Sequence, residues 1–183
     1  MKFTCTQENL SQGLSVVSHI AAKNTTLPIL NNVLLRAEKG VITLSTTNLE
    51  MGVYCTLRGK IDTEGTFTVG SKLLSDFVNL LGTETVEISQ VADAVEISTE
   101  KAHTSIKGQS AEEFPLIPSL NVDQSFSCSP KELIEGLSQV LFATAHSETR
   151  PEISGVLMKF ENGSLIMTAT DSYRLAEKSI KCN

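Results

Sequence analysis

Four cysteines and three histidines have the greatest capacity for covalent or metal chemistry in this 183-residue chain, and their spacing argues against both. Cys5, Cys55, Cys128 and Cys182 include no C-x-x-C pair, and His19, His103 and His146 stand at no ligand spacing. The thiols therefore read as free and buried, behaving as small apolar side chains rather than as a disulfide framework. Nucleophilic and phosphate chemistry find no better footing. The chain has no G-x-S-x-G elbow, no H-E-x-x-H, no G-x-x-x-x-G-K-[ST] loop and no glycine-rich dinucleotide turn. A non-catalytic protein without a cofactor or bound metal is expected.

Charge narrows the class of partner. The formal net charge is -6, whereas a protein that grips nucleic acid through many phosphate contacts is usually basic. Tight phosphate binding is disfavoured; a protein that surrounds DNA and touches it lightly is still compatible. The composition is that of a globular chain, 40% hydrophobic and 20% charged. No run approaches the roughly 20 apolar residues that cross a bilayer, and Met1-Lys2-Phe3-Thr4-Cys5 turns polar too soon for a signal peptide. A cytosolic location is expected, with no membrane contact.

The elements that must position any binding residues come from a duplication. At an offset of 123, residues 1–60 match residues 124–183 without a gap at 15 positions, against about 4 expected from average residue usage. Phe3 and Cys5 meet Phe126 and Cys128; Leu10, Gly13, Leu14, Ser15 and Val17 meet Leu133, Gly136, Leu137, Ser138 and Val140. Pro28, Val33, Leu34, Glu38, Gly40 and Thr47 meet Pro151, Val156, Leu157, Glu161, Gly163 and Thr170. A weaker echo at an offset of 64 sets Phe67-Thr68-Val69, Leu74, Val78 and Leu81 against Phe3-Thr4-Cys5, Leu10, Leu14 and Val17.

Each half-unit thus reads as a strand, a helix and further strands. Leu10, Leu14 and Val17 recur at i, i+4, i+7 on one helical face, as do Leu133, Leu137 and Val140. Ser129-Pro130-Lys131-Glu132 predicts a capping box with proline at the first helical position. Asn162-Gly163 between Val156–Phe160 and Leu165–Thr168 predicts a hairpin, and Val86-Glu87-Ile88 and Val95-Glu96-Ile97 alternate as half-buried strands. The expected fold is α+β, with two antiparallel helices on an antiparallel sheet and roughly eight strands in a full unit of about 120 residues. The predicted divisions are a complete first domain over 1–120, a linker over 121–125 and the first half of a second domain over 126–183. On this reading the chain is a fragment or a truncated product.

Several motifs carry a family resemblance. Met1-Lys2-Phe3-Thr4, Thr26-Leu27-Pro28-Ile29-Leu30-Asn31-Asn32, Thr47-Asn48-Leu49-Glu50-Met51 and Glu113-Phe114-Pro115 are similar to the first domain of the bacterial DNA polymerase III beta subunit, the sliding clamp. Ala145-His146, Arg150, Ile153-Ser154-Gly155 and, most specifically, Thr168-Ala169-Thr170-Asp171-Ser172-Tyr173-Arg174-Leu175-Ala176 resemble its second domain. The resemblance implies the DNA clamp fold, with sheets outside and helices lining a hole. It further implies a head-to-tail homodimeric ring that encircles double-stranded DNA without reading its sequence. Its partners would be the polymerase III catalytic subunit, the clamp loader and other proteins that carry a clamp-binding peptide. The location would be cytoplasmic, at the nucleoid. A peptide-binding scaffold of the same fold that does not encircle DNA is the alternative.

Site residues follow from the same resemblance. Ile153, Thr170, Ser172, Tyr173, Arg174 and Leu175 would form a partner-peptide groove, apolar at Ile153 and Leu175 and polar at Thr170 and Arg174. Lys23, Asn24, Lys72, Lys131, His146, Ser147 and Arg150 would face DNA; Asn24 stands where the family has an arginine. Lys72, Thr104 and Ile106 would meet the partner chain in the ring. A chain ending at Asn183 lacks the third domain needed for closure, so a monomer or a weak dimer through the second unit is expected in place of a ring.

Overall fold

The computed structural model describes residues 1–21, 27–118, 125–146 and 149–183, and the chain divides into two compact units, Met1–Ser119 and Leu120–Asn183.

Unit 1 begins with β1 (Lys2–Thr6) and α1 (Gln7–Ser18). Thr6 caps the helix, its hydroxyl accepting from the Asn9 amide at 3.3 Å. Leu10, Leu14 and Val17 are fully buried, so the predicted apolar face is the one that packs. There follow β2 (Asn32–Glu38), β3 (Val41–Thr47), β4 (Gly52–Leu57), β5 (Gly59–Thr63), β6 (Gly65–Gly70), α2 (Ser71–Leu80), β7 (Thr85–Val91), β8 (Ala94–Ser98) and β9 (His103–Gln109). The two helices run antiparallel: Gln7 at the start of α1 donates to the Val78 carbonyl near the end of α2, while Ser71 at the start of α2 meets Ser18 at the end of α1.

All strand pairs are antiparallel, in the order β4-β3-β2-β6-β9-β8-β7-β1-β5. The halves of the unit exchange first strands. Phe3 of β1 lies opposite Ile88 of β7, and Phe67 of β6 lies opposite Leu35 of β2. All four side chains are buried in one core. Nine strands appear where roughly eight were expected, because one strand of the first half is broken at Arg58 into β4 and β5. Together they do what β9 does alone: β4 pairs with its hairpin neighbour β3 while β5 crosses to β1, just as β9 pairs with β8 and then β6. A Cβ at Gly59 or Gly108 would run into the carbonyl oxygens of Thr4 and Thr68, which hold equivalent places in the two halves. Close strand approach requires glycine at both.

Unit 2 contains α3 (Pro130–Val140), β10 (Leu157–Glu161), β11 (Ser164–Thr170) and β12 (Leu175–Lys181), the strands forming an antiparallel sheet in that order. The predicted hairpin forms, with Asn162 and Gly163 both at positive φ, the geometry of a type I′ turn. Lys39 and Gly40 make the same turn 123 residues earlier. Two expectations need correction. Ser129 is the N-cap and Pro130 the first helical residue, yet no side-chain capping bond forms; Pro130 sets the first turn by its fixed φ, and water can satisfy its exposed amides. Phe126–Ser129 is not a regular strand, because among the described residues one neighbour pairs with it. Ser127 and Asn183 exchange backbone hydrogen bonds of 2.7 and 2.9 Å, the counterpart of Thr4 opposite Lys60 in the β1–β5 pair.

The thiols divide in two. Cys5 and Cys182 are buried, whereas Cys55 and Cys128 are half-buried, so the expectation of burial holds for two of the four. Burial pushes the Cys5 thiol up to about 11, which keeps it protonated and unreactive near neutrality.

Candidate peptide-docking loop

Between β11 and β12 the chain makes a short loop whose shape is fixed by one carboxylate and one hydroxyl. Asp171 Oδ1 accepts from the Tyr173 and Arg174 amides at 3.0 and 2.9 Å, and its Oδ2 accepts from Arg174 Nε at 2.9 Å. Hydrogen bonding holds the Asp171 carboxyl below its usual range, first through the Tyr173 amide and then through the amide and side chain of Arg174. Thr170 accepts from the Ser172 amide at 3.1 Å and donates to the Arg174 carbonyl at 2.7 Å. The result is an Asx turn nested in a threonine-closed loop, with Ser172 at φ 76°.

Unit 1 builds the same loop 123 residues earlier. Asn48 Oδ1 accepts from the Glu50 and Met51 amides, Thr47 accepts from the Leu49 amide and donates to the Met51 carbonyl, and Leu49 sits at φ 77°. The Thr-Asn/Asp pair thus has a local folding role in both units, independent of any ligand. Ser172, Tyr173, Arg174 and Leu175 are exposed, as are their counterparts Leu49, Glu50, Met51 and Gly52; what differs is the chemistry displayed, with the 98% accessible Tyr173 ring and the Arg174 guanidinium standing where unit 1 has Glu50 and Met51.

Neighbouring elements brace the second-unit loop. Arg150, at the start of the 3-10 turn Pro151–Ile153, donates from Nη1 to Ser172 Oγ at 2.9 Å and lies 3.4 Å from Glu152. Its guanidinium is engaged with the loop, which sequence reasoning had separated from it. Ile153 follows, half-buried, its carbonyl accepting from the Ala145 amide. The Arg174 guanidinium lies 5.4 Å from the ring centroid of Phe142, itself half exposed on the 3-10 turn Leu141–Ala143. Phe142 was missed from sequence. Its repeat partner is His19, and an aromatic residue just after a helix with no apolar counterpart was the available signal.

The other predicted positions are dispersed. Lys72 and Lys131 are exposed in the first turns of α2 and α3, in different units, and His146 is exposed. Lys23, Asn24 and Ser147 lie outside the described residues. Thr104 is half-buried on β9, but Ile106 is buried in the unit 1 core, where it packs with Val95 opposite. Alternation turns the Ile106 side chain inward, so at this edge it is the strand backbone that is most accessible. Among the described residues, β9 pairs between His103 and Lys107 with β8 alone, since β6 reaches Gly108 and Gln109. Among the described residues no cluster of His, Cys, Asp and Glu could hold a metal ion, and no helix is long and apolar enough to cross a membrane.

A unit built from two strand-exchanging halves, with paired helices on a continuous antiparallel sheet, places the chain in the DNA clamp fold class. Comparison with known proteins makes the assignment specific. Residues 1–118 match the family model of the DNA polymerase III beta subunit N-terminal domain, and residues 127–183 that of its central domain. The chain belongs to the DNA polymerase III beta subunit family, the beta sliding clamps. It is 35% identical over 179 residues to the beta sliding clamp of Synechococcus elongatus, covering 96% of this chain and 48% of the relative. Among solved structures, a putative DNA polymerase III beta subunit from Eubacterium rectale superposes with a TM-score of 0.94 at 28% identity, over 99% of this chain and 50% of that one. The DNA polymerase III subunit beta of Pseudomonas aeruginosa gives 0.91 at 25% identity, with coverages of 99% and 50%. The chain therefore spans about half the length of the relatives it matches.

Proposed function

We propose that this chain is the front part of a DNA sliding clamp, a non-catalytic processivity factor whose second unit docks short peptides from its partners at the Thr170–Leu175 loop. The observation that carries the reading is that loop. A rigid, self-bonded turn presents an aromatic ring, a guanidinium and an isobutyl group to solvent, with Ile153 and Phe142 on the adjoining turns. Such a surface suits an extended peptide with polar and then apolar residues, because a pre-formed site loses little entropy on binding. One solved relative, from P. aeruginosa, is bound to griselimycin, so a family member of the same fold holds a ligand.

In the assembled clamp the partners would be the polymerase III catalytic subunit, the clamp loader and other peptide-bearing replication and repair proteins. Two full-length chains would close head to tail into a ring around duplex DNA in the cytoplasm, at the nucleoid. Lys23, Asn24, Lys72, Lys131, His146, Ser147 and Arg150 are assigned to the DNA-facing side, with Arg150 also bracing the peptide loop. Lys72, Thr104 and the free backbone edge of β9 are assigned to ring closure. Holding DNA by topology requires only weak, sequence-blind contacts, which accords with a net charge of -6. The same acidity favours the second reading, a peptide scaffold without DNA; retention of the longer, ring-closing chain on circular DNA and its release on linearisation would separate the two.

Titrating the isotope-labelled 183-residue chain with a peptide of polar-then-apolar pattern tests the docking site. Shifts confined to Thr170–Leu175, Ile153 and Phe142 are expected, and Leu175→Ala should weaken binding about fivefold. Leu175 is 68% exposed, so a peptide can cover most of a side chain whose complete burial is worth about 2 kcal/mol. Alanine keeps part of that contact, leaving a loss of about 1 kcal/mol. Shifts centred elsewhere, or unchanged affinity in the variant, would show that the groove is misplaced.

A further inference from the structure

On the side of unit 1 away from its helices, β2, β3 and β4 floor a cavity of about 370 Å³, roofed by the segment 111–117. We propose that this cavity binds a small free carboxylic acid with an aromatic or branched apolar body. The site goes beyond the clamp reading and does not rest on it.

Strand alternation makes the floor. Val33, Leu35 and Ala37 of β2 and Ile42 and Leu44 of β3 turn into the core beneath the helices. The residues between them face the other way. Leu34 lies opposite Ser45, which lies opposite Tyr54, and Arg36 lies opposite Thr43. An outer sheet face is ordinarily wet, yet Leu34 is only 7% exposed and Ser45 only 4%. The roof covers them: Phe114 is buried with Leu34 in a small cluster that Ile117 joins.

That roof is held at both ends. Ser110 caps the 3-10 turn Ala111–Glu113, and Tyr54 Oη donates to the Ile117 carbonyl at 3.1 Å. Ile117 also seats on Gly52, where a Cβ would come within 2.6 Å of its side chain.

The polar groups in the cavity are few and uncommitted. Among the described residues, the Arg36 guanidinium and the Thr43 and Ser45 hydroxyls make no hydrogen bond or ion pair. A guanidinium and a nearly buried hydroxyl without partners match the oxygens of a carboxylate. Arg36 is the sole charged residue in the lining, so one carboxylate balances it; Glu112 and Glu113 are exposed and do not line the cavity. Phe114 and Leu34 then offer apolar contact to the body of the acid. The volume lies near the lower end of the range for small-molecule sites, about 300–1,000 Å³. A peptide fits less well, because the floor has no free backbone: β3 is bonded to β2 and β4, and β2 to β3 and β6. An extended chain laid across it would leave its own amides unpaired.

The test titrates the isotope-labelled 183-residue chain with 3-phenylpropanoate and follows the amide resonances. An acid of this size should saturate the site below about 10 mM. Shifts are expected at Leu34, Arg36, Ser45, Tyr54 and Phe114. The Thr170–Leu175 loop should not move, so the result is independent of peptide docking there. Arg36→Gln, on an exposed side chain with no partner to lose, should raise the dissociation constant about tenfold, and Ser45→Ala about threefold. The neutral 3-phenylpropanamide should bind as weakly as the acid binds Arg36→Gln. Scattered or unsaturable shifts, equal binding of the amide, or full affinity in either variant would overturn the proposal. So would displacement of the acid by inorganic phosphate, which would make this a bare-anion site, or tighter binding of N-acetylglycylphenylalanine, which would make it a site for a peptide terminus.

Discussion

Replacing Thr170 by valine isolates what holds the docking loop in shape. Valine keeps the β-branch and nearly the volume but deletes the hydroxyl, and with it the donation to the Arg174 carbonyl and the acceptance from the Ser172 amide. Each bond contributes a net 0.5 to 1.5 kcal/mol or so. Thr170 is half-buried, and water can re-solvate the freed groups, so the combined loss should lie at about 1 to 2 kcal/mol. The local opening equilibrium then rises roughly 5- to 30-fold. Hydrogen exchange at the Ser172 and Arg174 amides should accelerate by that factor, and peptide affinity should fall in parallel as Arg174 and Leu175 lose their fixed display. Thr47→Val supplies the control. It deletes the same two bonds, which are part-buried in unit 1 and exposed in unit 2, so water re-solvates the freed groups less completely and the cost should be the larger of the two, about 2 kcal/mol. Unchanged exchange in Thr170→Val would refute the argument, as would loosening that spreads to Leu49 and Met51.

Two further outcomes follow from named contacts. Because the folded Asp171 carboxyl lies below its ordinary value near 3.9, its contribution to the loop is complete above that pH and is lost only as pH falls through the lower, folded value; the Tyr173 and Arg174 amide resonances should therefore titrate with a midpoint below the ordinary one, and a midpoint at or above it would contradict the hydrogen bonding described. Gly13→Ala should destabilise unit 1 by about 1 kcal/mol net, since the methyl would overlap Leu57 and crowd Leu44 in a packed core by more than helix propensity returns, whereas Gly136→Ala, whose methyl overlaps only the terminal methyl of the more adaptable Met167 and meets Ile180 and Lys178 at ordinary contact distance, should cost less in urea unfolding.

Much of the fold was legible in the residues because the signals were local. Leu10, Leu14 and Val17 lie within two turns of helix, so their spacing alone marks the buried face. Asn162-Gly163 fixes a hairpin because both residues accept positive φ, and the offset of 123 pairs Gly40 with Gly163 and Thr47 with Thr170, the positions at which the two turns repeat. Leu133 and Leu137 carry the same pattern yet are only half-buried, since burial depends on what arrives to cover the face and not on the helix that bears it.

The sequence by itself determined the repeat, the helix faces, the turn chemistry and the motifs of a clamp family, all encoded within short stretches or in comparison of one stretch with another. Only the tertiary structure decided that β1 and β6 change partners, that Ile106 turns into the core, that Arg150 reaches 22 residues along the chain to Ser172, and that Phe142 lies under the Arg174 guanidinium. These contacts join residues whose individual types allow many partners. The choice among them is made by strand register and by the core that fixes it, through interactions too distant in sequence for any local pattern to carry.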